Sequence, residues 1–250
     1  MLNGYLKLGH GPRKVLVLSG WFGSSADWDG THTALDLDAF TYVFFDYRGY
    51  GRSMHLTGEY SFAESTIDAL RVVDALHWDR FSLIGHSMGG MAMQRILLAA
   101  PERIEKMVGI AAVPACGAKM PAERLAMFNA AVDDVALRAQ ILNASTGNRM
   151  SQAWLTYMAR LSCETSAPAA FKAYLQEWTG ADFTEQVKGN QTPVKIIIGA
   201  NDPSMTVERM TGSWLTWYRH AEIETLANAG HYPMQETPIA LASTMQAFLK

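Results

Sequence analysis

Apolar residues along this chain fall in short, nearly unbroken runs: VLVLS (15–19), YVFFD (42–46), FSLIG (81–85), KMVGIAA (106–112), VKIIIGA (194–200) and AEIETLA (221–227). Most lack the strict apolar–polar alternation of a sheet with one wet face. Such runs suit strands buried on both faces of a parallel sheet. Between them the period lengthens. SFAESTIDALRVVDAL (61–76) opens with Ser61 and Glu64 at capping-box spacing, and Ile67, Leu70, Val73 and Leu76 follow on one predicted helical face. SMGGMAMQRILLAAP (87–101) reads as a helix stopped by Pro101. Thr237 and Pro238 read as the N-cap and first residue of a last helix, with Ile239, Ala242, Met245 and Leu249 as its stripe. Strand–helix alternation of this kind predicts an α/β fold with a doubly wound, mostly parallel sheet.

The alternation stops between 114 and 190, where no strand-like run occurs. Pro121 marks the start of one helix there, and residues 151–160 and 168–178 read as two more. The expected organisation is therefore a core built from 1–113 and 191–250, with a helical cap inserted at 114–190. The cap carries Phe128, Trp154, Tyr157, Phe171, Tyr174 and Trp178. These aromatics either fill its own small core or face down and line a pocket.

Composition narrows the class. The chain has 250 residues, of which 49% are hydrophobic and 18% charged, which is ample for a packed core. Its net charge of −3 gives no electrostatic reason to attract nucleic acid or an anionic membrane. No run is long and apolar enough for a membrane span, and the N-terminal stretch lacks signal-peptide architecture. Cys116 and Cys163 have no metal-type spacing and are expected as free thiols. The expectation is a cytoplasmic protein, a monomer or homodimer, with a small molecule as its partner.

The chemistry centres on Gly85-His86-Ser87-Met88-Gly89, which fits G-x-S-x-G between a strand and a helix. The alternative, an ordinary turn serine, needs none of that context. A serine hydroxyl needs a base, and the base needs an orienting acid. His231, in the loop NAGHYPMQETP between the last strand and the last helix, is the candidate base. The other histidines either precede the serine, adjoin it, or fall at the opposite end of the sheet. Asp202, after the buried run ending at Gly199, is the candidate acid; capping a turn with Pro203 is its alternative role. The backbone N–H groups of Trp21 and Met88 are candidate oxyanion donors, each worth roughly 3 kcal/mol of barrier. Trp21 can equally be a packing tryptophan, since only its backbone is needed. Met88 and Met234 flank the serine and histidine, and with Trp154, Tyr157 and Trp178 they are the candidate pocket lining. Arg124, Arg149 and Arg160 are candidate contacts for a substrate carboxylate.

The pieces LVLSGWFGSSADW (16–28), FFDYRGYGRS (44–53), LIGHSMGG (83–90), APERIEKMVGI (100–110), IIIGANDP (196–203) and NAGHYPMQETP (228–238) together resemble the α/β-hydrolase superfamily over almost the full length. They look closest to its capped carboxylesterases and enol-lactonases. The resemblance implies Ser87 as nucleophile, Asp202 as acid, His231 as base and no cofactor or metal. It implies hydrolysis of a small or medium, largely apolar ester or lactone through an acyl-enzyme. Amide, thioester or C–C cleavage, perhydrolysis and a slow-turnover ligand receptor are the other activities this constellation allows. Ser19-Gly20 stands where many relatives have His-Gly, so the brace on the oxyanion loop must differ here. Asp46 and Arg48 read as structural braces.

Overall fold

The computed structural model describes residues 1–250. Seven strands form one sheet: β1 (Tyr5–Gly9), β2 (Arg13–Leu18), β3 (Phe40–Phe45), β4 (Phe81–His86), β5 (Ile104–Ile110), β6 (Val194–Gly199) and β7 (Ala221–Leu226). Their spatial order is β1-β3-β2-β4-β5-β6-β7. β1 runs antiparallel to β3, and every other pairing is parallel. All six positions of both β3 and β4 are buried, as unbroken apolar runs require. The chain steps outward from β2 to β3, then crosses back to β4 on the other side of β2. That reversal opens a crevice at the carboxyl ends of β2 and β4, where open α/β sheets bind ligands.

Helices α1 (Phe62–Ala75) and α2 (Gly89–Ala99) pack on the sheet. The Ser61 hydroxyl accepts the Glu64 N–H, which caps α1 as its spacing predicts. Of the predicted stripe, Val73 is buried and Leu70 and Leu76 are half-buried against the core. Ile67 is exposed, whereas Phe62, Ser65, Thr66, Asp68, Ala69, Val72 and Val73 are buried. The polar members of that face are satisfied locally. Ser65 and Thr66 donate to the Phe62 carbonyl, and Asp68 receives two bonds from Arg48 at 2.6 and 2.9 Å. Counting apolar residues alone therefore misses the buried polar positions of this face and misplaces Ile67.

Five helices lie between β5 and β6: α3 (Ala122–Ala130), α4 (Val135–Ser145), α5 (Gln152–Glu164), α6 (Pro168–Gly180) and α7 (Thr184–Val187). They share one continuous hydrophobic core with the sheet, through residues such as Phe128, Leu142, Leu155, Phe171 and Tyr174. Beyond β6 come α8 (Val207–Thr211) and α9 (Trp214–Trp217), and beyond β7 come α10 (Pro233–Glu236) and α11 (Pro238–Leu249). Thr237 occupies the N-cap position of α11, yet its hydroxyl makes no capping bond. Ile239 is exposed, and the buried face of α11 comprises Leu241, Ala242, Met245, Gln246 and Leu249. No helix is long and apolar enough to cross a membrane.

Candidate active site

Ser87 follows β4 directly and has a φ of 51°, a left-handed conformation that costs a residue with a Cβ about 1–2 kcal/mol. Three backbone bonds hold it there. Its N–H donates to the Ile110 carbonyl at the end of β5, and its carbonyl accepts from Gly90 and Val113, each at 2.9 Å. The turn is tight enough that a Cβ at Gly85 would strike the Gly89 carbonyl oxygen. The neighbouring strand thus holds the strained serine above the sheet.

His231 and Asp202 arrive from the loops after β7 and β6. His231 Nε2 lies 2.9 Å from Ser87 Oγ, and its Nδ1 lies 2.6 Å from Asp202 Oδ2. Asp202 is buried, and burial by itself would raise its pKa. The His231 charge and hydrogen bond, with the N–H groups of Met205 and Ser204 on Oδ1, outweigh burial and hold the carboxyl below its ordinary range. An ionised carboxylate only accepts, so Nδ1 carries the proton and Nε2 presents its lone pair to the serine hydroxyl. Turn capping and histidine orientation are thus both done by Asp202, one oxygen for each.

The histidine loop is itself fastened. His231 N–H donates to the Ser145 carbonyl at 3.2 Å, and its carbonyl lies 2.8 Å from His86 Nε2. A carbonyl cannot donate, so His86 carries its proton on Nε2. Burial, reinforced by the charge of His231, pushes the His86 pKa down to about 3 and keeps that ring neutral. His86, beside the serine in sequence, therefore anchors the loop that carries His231.

The β2 loop approaches Ser87 closely. A Cβ on Gly20 would sit against the His86 ring and the Ser87 Cβ, so only glycine allows this contact. The N–H groups of Trp21 and Met88 donate to no protein acceptor. The Ser19 hydroxyl accepts the Trp28 indole N–H at 3.1 Å, and Tyr47 donates to the Ser19 carbonyl at 3.2 Å. Tyr50 donates to the Trp21 carbonyl at 2.9 Å. Burial raises the pKa of both phenols, which keeps them protonated donors. These three side chains brace the loop in which serine replaces the usual histidine. The Trp21 ring is packed as well. It stacks on Phe171 with centroids 3.9 Å apart and donates its indole N–H to the Phe171 carbonyl.

A cavity of about 830 Å³ has Ser87 and His231 in its wall, together with Trp21, Phe22, Phe128, Trp178 and Tyr232. Of the five expected lining residues, only Trp178 belongs to it. Tyr157 is 55% exposed to solvent, Trp154 packs edge-on against Tyr232, and Met234 is fully buried behind the wall. The reason is the orientation of α5, whose core face is Leu155, Met158, Ala159 and Ser162. The Met88 side chain is also fully buried and outside the wall. Of the three arginines, Arg124 is in the wall. Arg149 is occupied by Glu236 at 3.0 Å and the Asn228 carbonyl, and Arg160 lies apart, near Gln152 and Thr156. Asp46 accepts three bonds from Ser25 and Arg52, and Arg48 clasps Asp68; neither reaches the cavity. Lys119 and Arg209, which do line it, carry no motif that sequence inspection could have flagged.

Comparison with known proteins bears on the family and the fold. A serine hydrolase-like protein of Danio rerio is 40% identical over 101 residues, which is 40% of this chain and 30% of the relative. The match spans less than half the length of the curated serine hydrolase-like relatives. Among solved structures, a bromoperoxidase from Bacillus anthracis has a TM-score of 0.87 at 22% identity, covering 98% of this chain and 94% of that one. The enol-lactonase of Burkholderia xenovorans LB400 has a TM-score of 0.85 at 21% identity, covering 98% and 95%. At such identities these structures share the fold. The family model described as "Alpha/beta hydrolase family" matches residues 15–244, and the chain belongs to that family.

Proposed function

We propose that this hydrolase cleaves a small or medium carboxylic ester or lactone through an acyl-enzyme on Ser87. One observation carries the reading: an unbroken hydrogen-bonded line from Asp202 through His231 to Ser87, opening on a cavity. In the first step Ser87 Oγ attacks the carbonyl carbon while His231 Nε2 takes its proton. Asp202 stabilises the imidazolium that results. The oxyanion is received by the N–H groups of Trp21 and Met88, which have no acceptor of their own. The protonated His231 then gives its proton to the leaving oxygen, and the acyl-enzyme remains. In the second step His231 removes a proton from water as it attacks, and collapse frees the acid and restores Ser87.

Helices α3 to α6 serve as the cap in this reading, with residues 114–190 forming the roof and 1–113 and 191–250 the catalytic core. The apolar wall of Trp21, Phe22, Phe128 and Trp178 favours a largely apolar acyl group. Lactone and ester differ only in whether the leaving oxygen stays tethered. Two unpaired, half-buried cysteines fit a reducing cytoplasm.

The experiment is hydrolysis of para-nitrophenyl acetate and butyrate. The unmodified protein turns both over, and Ser87→Ala lowers kcat by about 10³-fold or more while the circular dichroism spectrum is retained. Equal rates in the two proteins would refute the assignment.

A further inference from the structure

The cavity that holds Ser87 is not evenly apolar. Its wall includes three cations, Lys119, Arg124 and Arg209, against one carboxylate, Glu123. This local excess opposes the net charge of −3 on the whole chain. Lys119 is matched by Asp182 at 3.0 Å. The two arginines bond only neutral groups. Arg124 donates to the Ser204 hydroxyl at 3.2 Å, and Arg209 donates to the carbonyls of Gly117 and Ala118 at 3.2 and 3.4 Å. A guanidinium has five N–H donors, so most of theirs are unspent. The Arg124 guanidinium is held near the wall by the Phe128 ring, 5.5 Å from its centroid.

Unspent cationic donors in the wall of a cavity call for an anionic, oxygen-rich group. A planar carboxylate matches the arginine fork.

We propose that the substrate carries a free carboxylate besides the carbonyl that Ser87 attacks, and that Arg124 and Arg209 bind it. The class is a hemiester of a dicarboxylic acid, or a lactone bearing a carboxylate. This rests on the hydrolase reading above and narrows it. The arginines come from two separate elements, Arg124 on α3 after β5 and Arg209 on α8 after β6. That arrangement also suits a plain latch between the helices and the sheet. A latch affects all ligands alike, whereas a carboxylate subsite discriminates between charged and neutral ones.

Calorimetry on Ser87→Ala protein, which binds without turnover, separates the two. The ligands are monomethyl glutarate and dimethyl glutarate, which differ by one carboxylate. The hemiester should bind about tenfold more tightly than the diester, a preference that 0.5 M salt reduces. Replacing both arginines with glutamine in the same background should erase the preference. Equal binding of the two ligands, binding of neither, a preference that survives the double replacement, or equal weakening of both ligands would each overturn the proposal. Fluorophosphonate labelling of unmodified enzyme needs no carboxylate subsite, so it reports separately on the nucleophile.

Discussion

At the scale of single residues, the site relies on groups held in definite protonation states by their surroundings. His86 stays neutral because burial and the adjacent His231 disfavour its charge, so its Nε2–H is always available to the His231 carbonyl. Asp27 shows the opposite effect on an acid. Burial, with smaller contributions from Asp46 and Asp29 opposed by the Ser24 N–H, pushes its pKa from 3.8 up to about 7. In the unfolded chain Asp27 ionises near its ordinary value. Between the two values the folded state therefore holds a proton that the unfolded state has lost. The stability associated with this group is fully present below pH 3.8 and is lost as pH rises toward 7. Asp27→Asn cannot ionise and escapes the loss. Urea unfolding at pH 5 and pH 8 should shift the stability difference between the two proteins by about 2–3 kcal/mol in favour of the variant. An identical difference at both pH values would contradict the burial argument.

At the scale of elements, helices α4 and α6 reach the loop after β2 through a stack of flat groups. Arg138 on α4 is 1% exposed and has no carboxylate partner. Its guanidinium donates to the Ala131 and Val132 carbonyls and to the Ser162 and Ser166 hydroxyls, at 2.9–3.0 Å. Its Cζ lies 3.7 Å from the Phe171 ring centroid, and Phe171 in turn stacks on Trp21. A buried charge with no counterion survives because carbonyls, hydroxyls and a π face share it. Arg138→Met would leave those carbonyls and hydroxyls without a donor. The expected cost is about 2–4 kcal/mol, read from thermal or denaturant unfolding, with faster proteolysis within 122–180. Lysine, with one compact ammonium, should recover only part of the loss. Unfolding curves that coincide with the unmodified protein would remove Arg138 as the keystone of these helices.

At the scale of the whole molecule, four loops at the carboxyl ends of β2, β4, β6 and β7 bring together Trp21, Ser87, Asp202 and His231. Buried parallel strands have a strong signature, and six of the seven were legible as apolar runs. β1 was not, because YLKLG is a half-buried edge strand that pairs antiparallel with β3 alone. The loop residues were legible because the turn at Ser87 demands glycines at fixed offsets and the strand order fixes where partners can come from. The cavity wall was not. Which side of α5 or α3 faces inward depends on packing between helices, and α4 escaped notice because its inward face carries Arg138 among Ile141 and Leu142. Tyr157 and Met234 were misplaced for the same reason: an aromatic or apolar side chain need not face the cavity, and Tyr157 points to solvent while Met234 is buried behind the wall.

The most direct measurement is peptide mapping by mass spectrometry after reaction with a fluorophosphonate. The account predicts one adduct per chain, on the peptide containing Ser87, abolished by Ser87→Ala and strongly slowed by His231→Ala. A protein that remains unlabelled while folded, or an adduct on any other residue, would contradict it.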